Sequence, residues 1–152
     1  MTDEFSGTVE IATSPEAAWA VIEDPLALGR ALPGCESITP DGSGGLNVVV
    51  AIKHMFMTVR VDLHVTYHDL DRPHHLRLAL DGHPRGIGGA LRLSVPIDIV
   101  PIPTGAQVDY HGTLELEGTL TSFRKQVREG LQVQVDRLVR NVEREVKAGP
   151  TG

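Results

Sequence analysis

One long amphipathic stretch near the end of the chain most restricts what the sequence can fold into. Between residues 119 and 147, apolar residues recur every three or four positions, which is the spacing of one face of a helix. This face contains Leu120, Phe123, Val127, Leu131, Val135, Leu138, Val142 and Val146. Because such a face must be buried, we expect the helix to cover a sheet that is built from the preceding residues.

The first part of the chain predicts a strand and two short helices. Residues 5–12 alternate between apolar and polar positions, as a half-buried strand does. Ser14-Pro15 and Asp24-Pro25 each combine an N-cap residue with a proline at the first helical position. Pro33-Gly34 marks the end of the second helix.

The middle of the chain consists of strand-like segments. The clearest is residues 57–68, where every second residue from Met57 to Tyr67 is apolar and the residues between them are polar. Turn sequences at 41–45, 71–73, 82–89 and 101–105 separate this segment from its neighbours. The pattern predicts a single antiparallel sheet of about six or seven strands, whose apolar face packs on the final helix.

Composition sets limits on the class of protein. The 152 residues suit one domain, which we place at residues 1–147, and we expect 148–152 to form a disordered C-terminal end. The net charge of −6 argues against general binding of nucleic acids. Cys35 is the only cysteine, so the chain cannot form an internal disulfide. The acidic N-terminus and the lack of a long apolar segment predict a cytoplasmic protein.

Charge is distributed unevenly between the final helix and the rest. Residues 119–147 contain seven basic and four acidic residues, a net charge of +3, which leaves −9 for the remainder. The simplest interpretation is a solvated helix face with ion pairs between successive turns. The alternative is a basic ridge around Arg137, Arg140 and Arg144 that docks on an acidic partner or on an anionic membrane surface.

Motifs for catalysis, metals and phosphate are weak. The alternation places His64, His68 and His111 on the solvent side of the sheet, so we predict no metal site, although a site around His111 assembled from several strands stays open. Gly86-Ile87-Gly88-Gly89 precedes a strand and lacks the ending of a phosphate-binding loop. The sequence contains no nucleophile motif, and we predict no cofactor.

A curved sheet that wraps around a helix leaves a hydrophobic cavity, and this cavity is the predicted functional site. Methionine adapts to irregular ligands, and a tyrosine hydroxyl supplies one polar group in an apolar pocket. The predicted ligand-binding residues are Trp19, Met55, Met57, Val59, Tyr110, Phe123 and Val127.

Several short segments resemble a known family. They are Phe5-Ser6-Gly7, Ser14-Pro15-Glu16-Ala17-Ala18-Trp19, Asp24-Pro25, Leu32-Pro33-Gly34-Cys35-Glu36 and Gly118 before the last helix. Together with the order of elements, they resemble the CoxG family of carbon monoxide dehydrogenase accessory proteins, within the START and Bet v 1-like (SRPBCC) superfamily. The resemblance implies an α+β helix-grip fold: a curved antiparallel sheet with two short helices and a long C-terminal helix that enclose a hydrophobic cavity.

The resemblance also implies a function. Proteins of this family bind a hydrophobic molecule, quinone-like or isoprenoid, and act as accessories to a molybdenum hydroxylase of the carbon monoxide dehydrogenase type. A peripheral contact with a membrane is part of that expectation. The chain would then be a binding protein with a lipid-like ligand and a partner enzyme.

Two other functions stay open. The same superfamily includes small enzymes such as polyketide cyclases and isomerases, and here Tyr110, His54 or Arg124 would polarise a substrate carbonyl. A protein-docking module without a ligand is the third hypothesis. Acid–base groups buried in the pocket would favour an enzyme, whereas a wholly apolar lining would favour the binding protein that the sequence pattern indicates.

Overall fold

Strands and helices follow one another in the predicted order. The computed structural model describes residues 2–54 and 56–148. The strands are β1 (Thr2–Ile11), β2 (Cys35–Pro40), β3 (Leu46–His54), β4 (Met57–Asp71), β5 (His75–Pro84), β6 (Ala90–Ile102) and β7 (Gly105–Glu117). The helices are α1 (Pro15–Glu23), α2 (Pro25–Ala31) and α3 (Arg124–Lys147), and a 3₁₀ helix at Gly118–Phe123 precedes α3.

All seven strands form one antiparallel sheet in the order β1-β7-β6-β5-β4-β3-β2. Every pair that is adjacent in sequence from β2 to β7 is a hairpin, whereas α1 and α2 connect the two edge strands β1 and β2. The predicted α+β fold, with two short helices and a long C-terminal helix on an antiparallel sheet, is confirmed.

The predicted starts of α1 and α2 are also confirmed. The Ser14 hydroxyl accepts a hydrogen bond from the backbone N–H of Ala17, at 3.2 Å. The Asp24 carboxylate accepts one from the N–H of Leu26, at 3.1 Å. Each cap satisfies a backbone donor that the helix itself leaves unpaired, so the two helices begin where the sequence predicts.

The C-terminal helix differs from the prediction at its start. The amphipathic pattern begins near residue 119, but residues 118–123 form the 3₁₀ helix, and Phe123 within it is 47% exposed. Val127 and Leu131 are partly buried, whereas Val139 and Val142 farther along are buried. The apolar face of α3 is therefore covered most completely in its second half.

The structure also bears on the predictions about membrane-spanning segments and about the C-terminal end. Among residues 2–54 and 56–148, no helix is long and apolar enough to cross a lipid bilayer. The predicted disordered end, 148–152, lies outside the described residues except for Ala148, whose N–H donates to the carbonyl of Arg144 at 2.9 Å.

Candidate functional site

A hydrophobic cavity of about 100 Å³ lies between the sheet and the second half of α3. Seventeen residues line it, and all except two tyrosines have aliphatic side chains. They come from β1, β4 to β7, all three helices and the residue after α2: Ile11, Ala18, Ile22, Leu28, Leu32, Val65, Tyr67, Leu78, Leu80, Ile97, Ile99, Val108, Tyr110, Val135, Leu138, Val139 and Val142.

The size of this cavity limits what it holds in the observed conformation. An apolar cavity of about 150 Å³ in a protein core can take up a benzene-sized molecule, and pockets for drug-sized ligands span about 300–1,000 Å³. The cavity therefore accommodates only a very small molecule as it stands. A larger ligand requires the cavity to widen, by movement of one or more of the three helices that line it.

Tyr110 lines the cavity near the middle of β7, the strand next to the edge strand β1, and is 3% exposed. Its hydroxyl donates a hydrogen bond to Oδ1 of Asp136 on α3, at 2.7 Å. Burial, and secondarily the hydrogen bond to the Asp136 carboxylate, raise the pKa of the Tyr110 phenol well above its usual value. Tyr110 is therefore a neutral hydrogen-bond donor that links the sheet to α3.

Glycines on β1 and β7 set the position of this tyrosine. Gly7 lies opposite Tyr110 in the register of the two strands, and Gly112 lies opposite Phe5. A Cβ atom at Gly7 would lie within 2.4 Å of the Tyr110 hydroxyl oxygen, and one at Gly112 within 2.2 Å of the Phe5 ring. Each ring thus lies over a glycine of the neighbouring strand, which brings Tyr110 within reach of α3.

Tyr67 on β4 is the second polar side chain in the lining. Its hydroxyl donates to the backbone carbonyl of Ile22 on α1, at 3.0 Å. Burial, with a smaller contribution from the charge of Glu23, raises the pKa of Tyr67 to about 12. Because both tyrosine hydroxyls already have acceptors within the protein, a ligand in the cavity meets mainly hydrocarbon.

Two residues predicted as alternative catalytic groups have different surroundings. Arg124 forms a two-point ion pair with Asp3 on β1, with nitrogen–oxygen distances of 3.0 and 2.8 Å, and it does not line the cavity. The Arg124 guanidinium lowers the pKa of the Asp3 carboxyl group, although burial opposes this effect. The pair fastens the start of α3 to β1. The side chain of His54 lies outside the described part of the structure.

Two histidines of the predicted solvent face lie beside carboxylates. The His64 ring nitrogen Nε2 lies 2.7 Å from the Asp41 carboxylate, and that of His111 lies 3.3 Å from Glu4. Among the described residues, no group of three or more His, Cys, Asp or Glu side chains is arranged to hold a metal ion. These histidines contact single carboxylates on the outer side of the sheet.

The predicted ligand-binding residues occupy different places. Of them, Tyr110 lines the cavity. Trp19 is 5% exposed in the core, and its indole N–H donates to Glu23. The partly buried Val59 and Val127 pack against the core. Met57 and Phe123 are 65% and 47% exposed, and Met55 lies outside the described residues. A direct role of these residues in binding stays a prediction.

Most of the cavity lining was absent from the predicted set. Tyr67, Leu78 and Ile97 belong to the inward faces that the alternation of the strands predicts. The alternation identifies the face of a strand but not the position along it that a helix leaves uncovered. The alternation therefore identifies these residues as inward-facing, but it does not distinguish them from the other core residues on the same face.

Comparisons with known proteins agree with this geometry. A family model described as "Polyketide cyclase / dehydrase and lipid transport" matches residues 2–143. No curated protein matches the chain in sequence.

Solved structures with the same fold cover nearly the whole chain. A conserved protein from Geobacillus kaustophilus is 19% identical, with a TM-score of 0.85 over 97% of this chain and 96% of that one. A protein from Thermus thermophilus is 20% identical, with a TM-score of 0.70 over 98% and 100%. The Zhui aromatase/cyclase from a Streptomyces species is 16% identical, with a TM-score of 0.64 over 97% and 94%. At these identities the likeness concerns the fold.

Proposed function

The chain belongs to the polyketide cyclase, dehydrase and lipid transport family, and we propose that it binds a hydrophobic small molecule beneath α3. The observation that carries this proposal is the lining of the cavity, which is aliphatic apart from two tyrosines whose hydroxyls are bonded within the protein. A ligand gains affinity there by leaving water, at roughly 25 cal/mol for each Å² of apolar surface buried. Acid–base catalysis would instead need a titrating group aimed at the ligand.

The geometry also limits the class of ligand. Because the cavity measures about 100 Å³, a quinone-like or isoprenoid molecule fits only when the cavity widens, and we propose that α3 moves outward to widen it. Such a movement would separate Asp136 from Tyr110 and leave the buried phenol without its acceptor. A ligand with one carbonyl oxygen would replace that acceptor. We therefore favour a mainly hydrocarbon ligand with a single polar group.

Binding of an apolar fluorescent probe, such as N-phenylnaphthylamine, tests the proposal. Val135 lines the cavity, whereas Val133, two residues earlier on the same helix, is 49% exposed. Val135→Phe should fill the cavity and weaken probe binding by about tenfold, as expected when a site loses the volume of a few methylene groups. Val133→Phe is the matched control and should leave affinity unchanged. Equal affinity in both variants would place the probe elsewhere.

The Tyr110–Asp136 pair supports a second candidate, a small cavity enzyme such as a polyketide cyclase. A neutral phenol in the cavity wall can donate a hydrogen bond to a developing enolate or alkoxide oxygen once a substrate displaces Asp136. Tyr110→Phe separates the two functions. It should abolish turnover of a linear polyketide if the protein is a cyclase, but should reduce probe binding only slightly if the protein is a binder.

An accessory role beside a molybdenum hydroxylase remains the narrower proposal that the CoxG resemblance supplies. The seven arginines from Arg30 to Arg124 each have a carboxylate within 4.0 Å. Within residues 2–54 and 56–148, the arginines farther along α3 have no such partner. Three of them, Arg137, Arg140 and Arg144, share one exposed stripe because their spacing is three and four residues.

A stripe of unpaired guanidinium groups suits an acidic protein surface. Co-purification with the molybdenum hydroxylase at low salt is the test. The triple Arg→Glu variant should lose the enzyme while keeping the melting temperature of the wild type. Recovery equal to that of the wild type would rule out docking through this stripe.

A further inference from the structure

Exposed hydrophobic side chains concentrate at one end of the molecule. The described residues include eight large hydrophobic side chains that are exposed. Four of them lie at the turn between β3 and β4 or in the 3₁₀ helix: Ile52, Phe56, Met57 and Phe123. Phe56 is fully exposed, at 101% of its reference area, so its ring projects from the turn into solvent. An aromatic ring in this position does nothing for the core.

Three segments meet at this end, which we call the hairpin end: residues 52–59 without Met55, residues 84–91, and residues 118–128. The register brings them together, since Val61 lies opposite Pro84 and Ala90 lies opposite Glu117. The N–H of Arg85 donates to the carbonyl of Arg60 at 2.8 Å. A Cβ atom on Gly118 would lie 2.9 Å from the Cα of Gly89.

Charge separates the hairpin end from the rest of the chain. Its three segments contain five basic residues and no Asp or Glu, with Glu117 and Glu129 directly flanking the third segment, whereas the whole chain has a net charge of −6. Arg85 and Arg124 pair with Asp62 and Asp3, which lie outside these segments. In the part of the chain that the structure describes, Lys53, Lys125 and Arg128 have no carboxylate within 4.0 Å.

We propose that the hairpin end docks on an anionic phospholipid membrane. A protruding phenylalanine beside exposed methionine and isoleucine side chains suits the boundary between headgroups and acyl chains. Unpaired lysine and arginine side chains in the segments of the same end are attracted to anionic headgroups. The proposal does not depend on ligand binding, because the cavity lies under the other half of α3.

Sedimentation of the full chain with lipid vesicles tests this proposal. Vesicles of mixed phosphatidylcholine and phosphatidylglycerol should bind the protein, whereas phosphatidylcholine alone should bind it much less, and salt should weaken binding. Phe56→Ser combined with Met57→Ser should weaken binding by about tenfold. The Lys53→Glu and Lys125→Glu pair should weaken it by at least about 25-fold, at about fivefold for each basic residue lost.

Leu26 provides the matched control. It lies on α2 and is 71% exposed. The neighbouring end of α1 contacts the turn between β4 and β5, where Glu23 pairs with Arg72. This turn is at the opposite end of β4 from the hairpin end. Leu26→Ser should leave vesicle binding unchanged. The proposal fails if the folded wild type does not bind anionic vesicles at low salt, or if Leu26→Ser weakens binding as much as Phe56→Ser. It also fails if Phe56→Ser instead abolishes self-association, because the surface would then join two copies of the chain.

Discussion

The two halves of α3 cover the sheet in different ways. The second half is tied to neighbouring elements by polar contacts: Asn141 donates to the Ala31 carbonyl at 2.8 Å, and Glu145 pairs with Arg30 at 2.7 Å. The first half has fewer ties, chiefly Arg124 with Asp3 and a hydrogen bond from Gln132 to the Ser6 carbonyl at 2.9 Å. The cavity nevertheless lies under the second half.

The difference shows that the polar contacts of α3 and the empty space beneath it occur in the same half of the helix. Polar contacts join the second half to α2 and, through Asp136 and Tyr110, to the sheet, and the space beneath stays partly empty. Under the first half, Leu114 on β7 is 0% exposed and does not line the cavity. The polar contacts around the cavity add to the attraction between α3 and its neighbours where the cavity wall lacks packing partners.

Replacing one leucine under each half gives the largest expected effect. Leu114→Ala removes side-chain packing at a fully buried position and should lower the free energy of unfolding by about 3 kcal/mol. Leu78→Ala in the cavity wall should cost about 1.5 kcal/mol, because that side chain already faces empty space. Urea unfolding of both variants measures the difference. Equal losses would mean that the cavity side is as tightly packed as the other.

A smaller effect is expected inside the first half of α3. Gly130 lies inside α3, and a Cβ atom there would meet nothing within 4 Å. Gly130→Ala should therefore raise the free energy of unfolding by about 0.8 kcal/mol through helix propensity. If α3 must bend at this glycine to lift its second half from the sheet and admit a ligand, the same variant should slow probe uptake without changing the equilibrium affinity. Unchanged uptake would show that bending at Gly130 is not needed.

The smallest effect concerns the tie at the start of α3. Because Arg124 lowers the pKa of Asp3 below its unfolded value, the stabilisation is present above that unfolded pKa and is lost as the pH falls through the folded pKa. The wild type should therefore lose more stability than Asp3→Asn between neutral pH and about pH 3. Thermal unfolding across this range measures it. If the melting temperatures of the two proteins change in parallel with pH, the Arg124–Asp3 pair contributes nothing to stability.

The sequence predicted the fold well because each element has a strong local signal. The alternation of β4, the proline-containing helix starts at Ser14 and Asp24, and the spacing of α3 each predict one element. The site was harder to predict, since it depends on where α3 crosses the sheet. That crossing is set by contacts between distant residues, such as Asn141 with Ala31, which no local pattern reports.

Tyr110 shows what the alternation of apolar and polar residues can predict and what it cannot. Its polar group in an apolar face predicted a place in the cavity, which its position in the lining agrees with. Its bond to Asp136 joins residues 26 positions apart and gives the hydroxyl an acceptor within the protein. The sequence could therefore locate this residue but could not tell that its hydroxyl is occupied.

Native mass spectrometry of the protein purified from its own organism tests the central claim most directly. If the cavity beneath α3 is the binding site, the wild type and the exposed control Val133→Phe should carry the same apolar molecule, and Val135→Phe should carry none. A wild type that contains no bound molecule, or a Val135→Phe variant that retains it, would contradict the account.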